Sequence, residues 1–259
     1  MTILTHHHVL AAAMKWRTSN TEANRSAAIT ILKDGMTRFS DALALGEELV
    51  LLHKESGDLD IAISLLRTLE RRFKQIGEET LCRWGSVLRL RANISLASNA
   101  IGAAEVDLKE AEEYYARAFE EFGTHYPRIN ELTTRFARAG LARLLNDESK
   151  SANLLRTVEA DAESMLADAR IWSRLKPHDN VWAPASRGEA CLLLEWWDNA
   201  EAAYTEAIRA SGAEEFPRIS MAKQVRETLI PAFQRLGREI KQRLAKPNEF
   251  FLIPQVPPQ

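Results

Sequence analysis

The sequence is poor in cysteine. Cys82 and Cys191 are the two it has, far apart and each inside an apolar stretch, so both read as reduced core residues. It lacks an excess of charge of either sign: 34 Lys plus Arg stand against 36 Asp plus Glu, which removes the electrostatic argument for nucleic acid or an anionic membrane as the main ligand. Alternating β-branched runs, the signal for strands, are nearly absent. Neither a membrane span nor a secretory leader is convincing, since Met1 to Met14 carries histidines where a leader would carry Lys or Arg, so a cytoplasmic protein is expected. The adjacent His6, His7 and His8 cannot all face one ion with good geometry, so no metal site is expected there.

What the chain does have is Ala, Leu, Glu, Arg and Lys, the residues that favour helix, interrupted at Gly57-Asp58, Gly77, Gly102, Gly123, Pro127, Pro177 to Asn180, Gly212 and Pro217. These breakers predict an all-α fold of antiparallel helical hairpins joined by short turns. The hairpins repeat. Ala28 and Ala62 lie 34 residues apart in similar contexts, which is the tetratricopeptide period. Ala111, Tyr115 and Ala118 form an A-x3-Y-x2-A pattern that returns at Ala200, Tyr204 and Ala207. Small residues at the ends of this pattern let helices approach, and the aromatic fills the space between them. Gly188, 12 residues before Ala200, stands where a first helix needs a close contact.

The expected architecture is a right-handed tetratricopeptide-like solenoid of about five hairpins, one domain over residues 1–246. A loop-like insertion is read near Ser98 to Asp107, and long helices near Ile129 to Asn146 and Glu148 to Arg174. A capping helix pair is expected from Pro217 to Leu244, with Pro231 opening its second helix, then an extended Pro-rich arm over 247–259. That arm lies over its own solenoid or serves as a docking motif.

The stretch GTHYPRINELTTRFARAG, Gly123 to Gly140, resembles the tetratricopeptide-like regulatory, or TRAF-binding, region of the apoptosis signal-regulating kinases and their bacterial relatives. Tyr126, Pro127, Ile129, Asn130, Ala139 and Gly140 match its Y-Y-P-G-I-N pattern and following helix, while His125 and Arg128 replace a tyrosine and a glycine. Tyr115, Phe119, Trp182, Ala185, Glu189 and Ala200 also stand in family-like places, and the likeness runs roughly from Gly35 to Leu229. The resemblance implies a regulatory scaffold with a protein or peptide partner, an effector enzyme acting in trans among the options. It implies no kinase, since Gly-rich loop, H-R-D and D-F-G segments are missing.

Catalytic readings find little support. Cys191 with His125 or His178 would suggest a Cys-His protease, but ACLLLEWW is an apolar helix and a reactive thiol needs an exposed, electropositive place. The motifs G-x-S-x-G, H-E-x-x-H, C-x-x-C and the P-loop are absent, so neither enzyme activity nor a cofactor is expected. Trp84, Trp172 and Trp196 read as core, and Trp182 and Trp197 as hairpin-end residues. Tyr126-Pro127 reads as a turn into the following helix, with Asn130 bonding the backbone there.

First helices line a tetratricopeptide groove, and the polar residues they offer are Glu47, Glu48 and Lys54, then Arg83 and Arg89, then Arg135 and Arg138. A groove acidic at one end with a basic floor would hold a peptide or effector protein by Arg-carboxylate contacts. Solvated helix faces with local ion pairs are the plainer account of the same residues. A sensor binding a small signalling or phosphorylated ligand is the other functional reading.

Overall fold

The computed structural model describes residues 5–17, 21–173, 175 and 179–252. It is an all-α helical repeat, with no strand among the described residues. The chain, read from its sequence as one domain over 1–246, falls into two compact units, Met1–Arg91 and Ala92–Gln259. The first holds α1 (His6–Arg17), α2 (Glu22–Arg38), α3 (Leu43–Ser56), α4 (Leu59–Arg72) and most of α5 (Glu78–Ala97). The second begins inside α5 and continues through α6 (Ile101–Phe122), α7 (His125–Leu144), α8 (Glu148–Ala167), the short α9 (Ala169–Ser173), α10 (Asp179–Leu193) and α11 (Trp197–Ser211). It ends with α12 (Glu215–Gln224), α13 (Ile230–Arg235) and α14 (Pro247–Leu252).

Turn chemistry sets the repeat. Four hairpins turn through a residue in the left-handed region, Gly57 (φ 82°), Asn99 (58°), Asn146 (60°) and Glu195 (58°). In each, the next amide donates to the carbonyl five residues back in a Schellman turn: Asp58 to His53 at 2.9 Å, Ala100 to Ser95 at 2.7 Å, Asp147 to Ala142 at 2.8 Å and Trp196 to Cys191 at 2.9 Å. Five residues past each left-handed position stands a small buried residue, Ala62, Ala104, Ser151 and Ala200, where the second helix meets its neighbours.

That register corrects the expected alignment. Ala104, not Ala111, is the counterpart of Ala62 and Ala200, so the A-x3-Y-x2-A pattern sits seven residues deeper in α6 than in α11. Seven residues are close to two helical turns, so the same face is kept, and Ala111, Tyr115 and Ala118 are as fully buried as Ala200, Tyr204 and Ala207. The segment near Ser98 to Asp107 is no loop. From Ile101 onward it is helix, and α5 and α6, 20 and 22 residues long, absorb the extra length that α3 and α4, at 14 each, do not have.

Gly188 makes the expected close contact. A Cβ there would stand 2.9 Å from Cδ2 of Tyr204, so α10 and α11 approach with only a hydrogen between backbone and ring. Ala28 packs with Leu32 and Leu45 in the core of the first unit.

Two expectations for the C-terminus are corrected. The capping pair is one helical rod, α12 continuing through a π-helical turn at Val225–Leu229 into α13. Pro231 has no N–H to donate and its ring crowds the carbonyl four residues back, and the wider π turn takes up that disturbance without breaking the rod. Residues 247–252 are helix α14 rather than an extended arm, because Phe250 and Phe251 are buried, Phe251 edge-on to Tyr204 at 5.0 Å. Residues 253–259 lie outside the described residues.

Candidate functional site

In the second unit Arg128, Glu131, Arg135 and Arg138 form one stripe along α7. The Arg135 guanidinium reaches Glu112 of α6 at 2.7 Å, Asp161 of α8 at 2.6 Å and Glu131 on its own helix at 2.5 Å. Arg138 reaches Glu112 at 2.6 Å and Glu105 at 3.2 Å, and Lys150 meets Glu105 at 2.7 Å. Arg128 bonds Glu131 at 2.8 Å and Asp161 at 2.9 Å, with its guanidinium 4.9 Å from the centre of the Phe119 ring. Four cations therefore face four carboxylates. Burial works against charge at Arg135 and Arg138, but the hydrogen bonds and charge of Glu112, with the neighbouring carboxylates, outweigh it and hold both above the ordinary arginine value.

The expected basic floor is thus a neutral network, and it points elsewhere. Because α6 and α8 are the second helices of successive hairpins, Arg135 and Arg138 turn into the seam between them and away from a first-helix groove. The opposite side of α7 is covered by the C-terminal rod. The Phe233 ring packs at a tilt with its centre 4.8 Å from that of Phe136, the Gln224 amide lies 3.5 Å from the Thr133 hydroxyl, and a Cβ on Gly140 would come within 3.1 Å of the Ala232 carbonyl oxygen.

In the first unit the expected groove residues join helices to one another. Glu47 of α3 accepts from the Thr80 hydroxyl of α5 at 2.5 Å, and Lys54 donates to the Ser86 hydroxyl. Burial pushes the Glu47 carboxyl above its usual range, against the lowering effect of the Thr80 bond. Glu48 is buried, Arg83 pairs with Glu79 at 2.6 Å and Arg89 is half-buried.

Cys191 is buried, which pushes its thiol pKa up, and His178 lies outside the described residues. A buried contact not read from the sequence is that of His125, whose Nδ1 lies 2.9 Å from Ser186 Oγ while its Nε2 lies 3.6 Å from Asp179 Oδ1. Trp172 stacks on the imidazole at 5.9 Å and Arg187 lies over the same indole. The three residue types are those of a hydrolytic triad, and Ser186 and His125 are both buried. Spacing could not reveal it, since His125 opens α7 and Ser186 sits 61 residues on. Among the described residues no cluster of three side chains suited to a metal ion is formed.

Tyr126 and Pro127, read as a turn into the following helix, already lie inside it, since α7 begins at His125. The Asn130 side chain donates to the Tyr126 carbonyl at 2.8 Å, and Pro127 is buried in the first turn of α7 while Tyr126 is exposed. Trp84 is buried and Trp172 partly so, but Trp196, read as core, is 44% exposed. Trp197 packs on Phe233 at 5.9 Å. Trp182 meets the ring of Phe216 edge-on at 6.3 Å, and Phe216 and Ile219, three residues apart on α12, are 63% and 50% exposed.

Residues 9–135 match the family model described as Tetratricopeptide Repeats-Sensor. That stretch is similar to tetratricopeptide repeats. No curated protein matches the chain. Among solved structures, a thermophilic TPR protein of Thermus thermophilus aligns at 15% identity over 85% of this chain and 98% of its own, with a TM-score of 0.49. BtubC (BKLC) from P. vanneervenii aligns at 12% identity over 98% and 93%, with a TM-score of 0.32. No described helix is long and apolar enough to cross a membrane.

Proposed function

We propose that the chain is a non-catalytic scaffold or regulator that binds a protein partner, and that in its second unit the contact is an exposed apolar face instead of a basic groove. The observation that carries this is the pair Phe216 and Ile219, exposed three residues apart on α12, with the half-buried Trp182 edge-on to Phe216. Large side chains exposed together cost solvation free energy in the isolated chain, and such patches mark partner surfaces with aromatic anchors. The charged residues expected to bind are engaged within the fold. The resemblance to the kinase regulatory region supports a further step, in which the partner is an effector enzyme controlled in trans.

The test is affinity purification from the native cell with wild type and Phe216→Glu. A stoichiometric protein captured by wild type and lost in the variant, with melting unchanged, supports the reading. Equal capture by both removes the patch from the interface. The sensor reading is favoured by the family model's description, and a small ligand that copurifies in stoichiometric amount with the chain would support it.

A further inference from the structure

Four hairpins of this chain share one turn geometry, and one of them departs from its chemistry. The left-handed position and the residue after it are Gly57-Asp58, Asn99-Ala100, Asn146-Asp147 and Glu195-Trp196. Glycine and asparagine suit the left-handed region, whereas glutamate does not, and Ala100 and Trp196 alike lack a side chain suited to a helix N-cap. Trp196 makes no side-chain cap to α11, as Asp58 and Ala100 make none to α4 and α6. Glu195 and Trp196 line one cleft of about 370 Å³, together with Glu159 and Glu163 of α8 and with Arg238.

The cleft already shows which chemistry it accepts. The Arg238 guanidinium lies 2.9 Å from Glu195 and 3.9 Å from Glu159, an occupant supplied by the chain itself. One guanidinium stands there against three carboxylates. Glu163 has no hydrogen-bond or ion-pair partner among the described residues, and the exposed Trp196 indole offers a face on which a second cation can rest.

We propose that this cleft is a docking point for a lysine or arginine side chain on a basic segment of a partner protein. The cation sits against the Trp196 indole with Glu163 as its counter-charge, beside the carboxylates that Arg238 partly occupies. The proposal rests on the protein-binding reading but uses a surface other than the Phe216 patch. It also accounts for a glutamate at the left-handed position, where the other three turns keep glycine or asparagine.

The full chain, labelled with fluorotryptophan, is titrated with short peptides of matched length rich in arginine, lysine or glutamate. Fluorine NMR follows Trp196, assigned by the loss of its resonance in Trp196→Phe. The arginine- and lysine-rich peptides should shift it saturably and the glutamate-rich peptide should not. Glu163→Lys, at an exposed position, should weaken the binding about tenfold or more. Arg238→Ala, which frees Glu195, should strengthen it, an effect that a merely structural role for Arg238 does not give. No saturable shift, an equal response to the glutamate-rich peptide, or wild-type affinity in Glu163→Lys would overturn the proposal. Loss of the native partner by Phe216→Glu alongside an unmoved Trp196 resonance would sink the cleft and leave the protein-binding reading standing. Cationic peptides bound at Trp196 with no partner lost in Phe216→Glu would do the reverse for the patch.

Discussion

At Arg135 one guanidinium, with 13% of its side chain exposed, serves carboxylates from three helices. Removing it leaves Glu112 to Arg138 and leaves Glu131 and Asp161 to share Arg128, one cation short, and breaking such a buried set costs toward the lower end of about 3 to 5 kcal/mol. Arg135→Ala should therefore lower the melting temperature by about 6 °C or more, measured by circular dichroism. Arg83 differs, because its partner Glu79 is largely exposed, so Arg83→Gln should cost under about 1 kcal/mol in the same measurement. Glu47 supplies a pH test. Its folded pKa is raised, so between the ordinary carboxylate value and the raised one the folded state holds more protons than the unfolded, and stability falls as pH rises through that window. Glu47→Gln keeps an acceptor for Thr80 and should flatten that fall, as read from chemical denaturation at a series of pH values.

Helices α10 and α11 meet where Gly188 faces a fully buried Tyr204 ring, which has no space into which to retreat. Gly188→Ala should destabilise by about 1 to 3 kcal/mol, and Ala111→Leu and Ala200→Leu by a similar amount, since each overpacks a helix contact. Wild-type melting in all three would mean that these positions are not the points of closest approach. The turn at Glu195 predicts the opposite sign. Glu195→Gly relieves a left-handed non-glycine residue and should stabilise the chain by up to about 1 kcal/mol in denaturant titration, while weakening the binding of a cationic peptide at Trp196.

For the molecule as a whole, the division into two compact units has a measurable consequence. Local destabilisation in one unit should be felt most within that unit, because opening proceeds in cooperative blocks of structure. Hydrogen exchange of Gly188→Ala should thus speed up in α10, α11 and the rod that covers α7. Amides of α3 and α4 should keep their wild-type protection. Uniform acceleration across both units would show that the chain opens as one block.

Helix-forming composition, breakers and the spacing of small residues were enough to make the all-α repeat legible, because turns such as Gly57-Asp58 and pairs such as Ala200 with Tyr204 act over one or two helical turns. A seven-residue slip in α6 stayed hidden because it preserves the buried face. The candidate site was legible in its residue types and not in their direction. The partners of Arg135 lie 23 and 26 residues away on other helices, and a one-dimensional pattern gives the side of a helix without saying what covers it. Nor could it show that Trp196 faces out while the rod bearing Phe233 covers α7. Local periodicity and turn chemistry therefore settled the elements and their repeat. Tertiary contact alone decided which charges neutralise one another and which surfaces remain open, because pairing and burial depend on residues far apart in the chain.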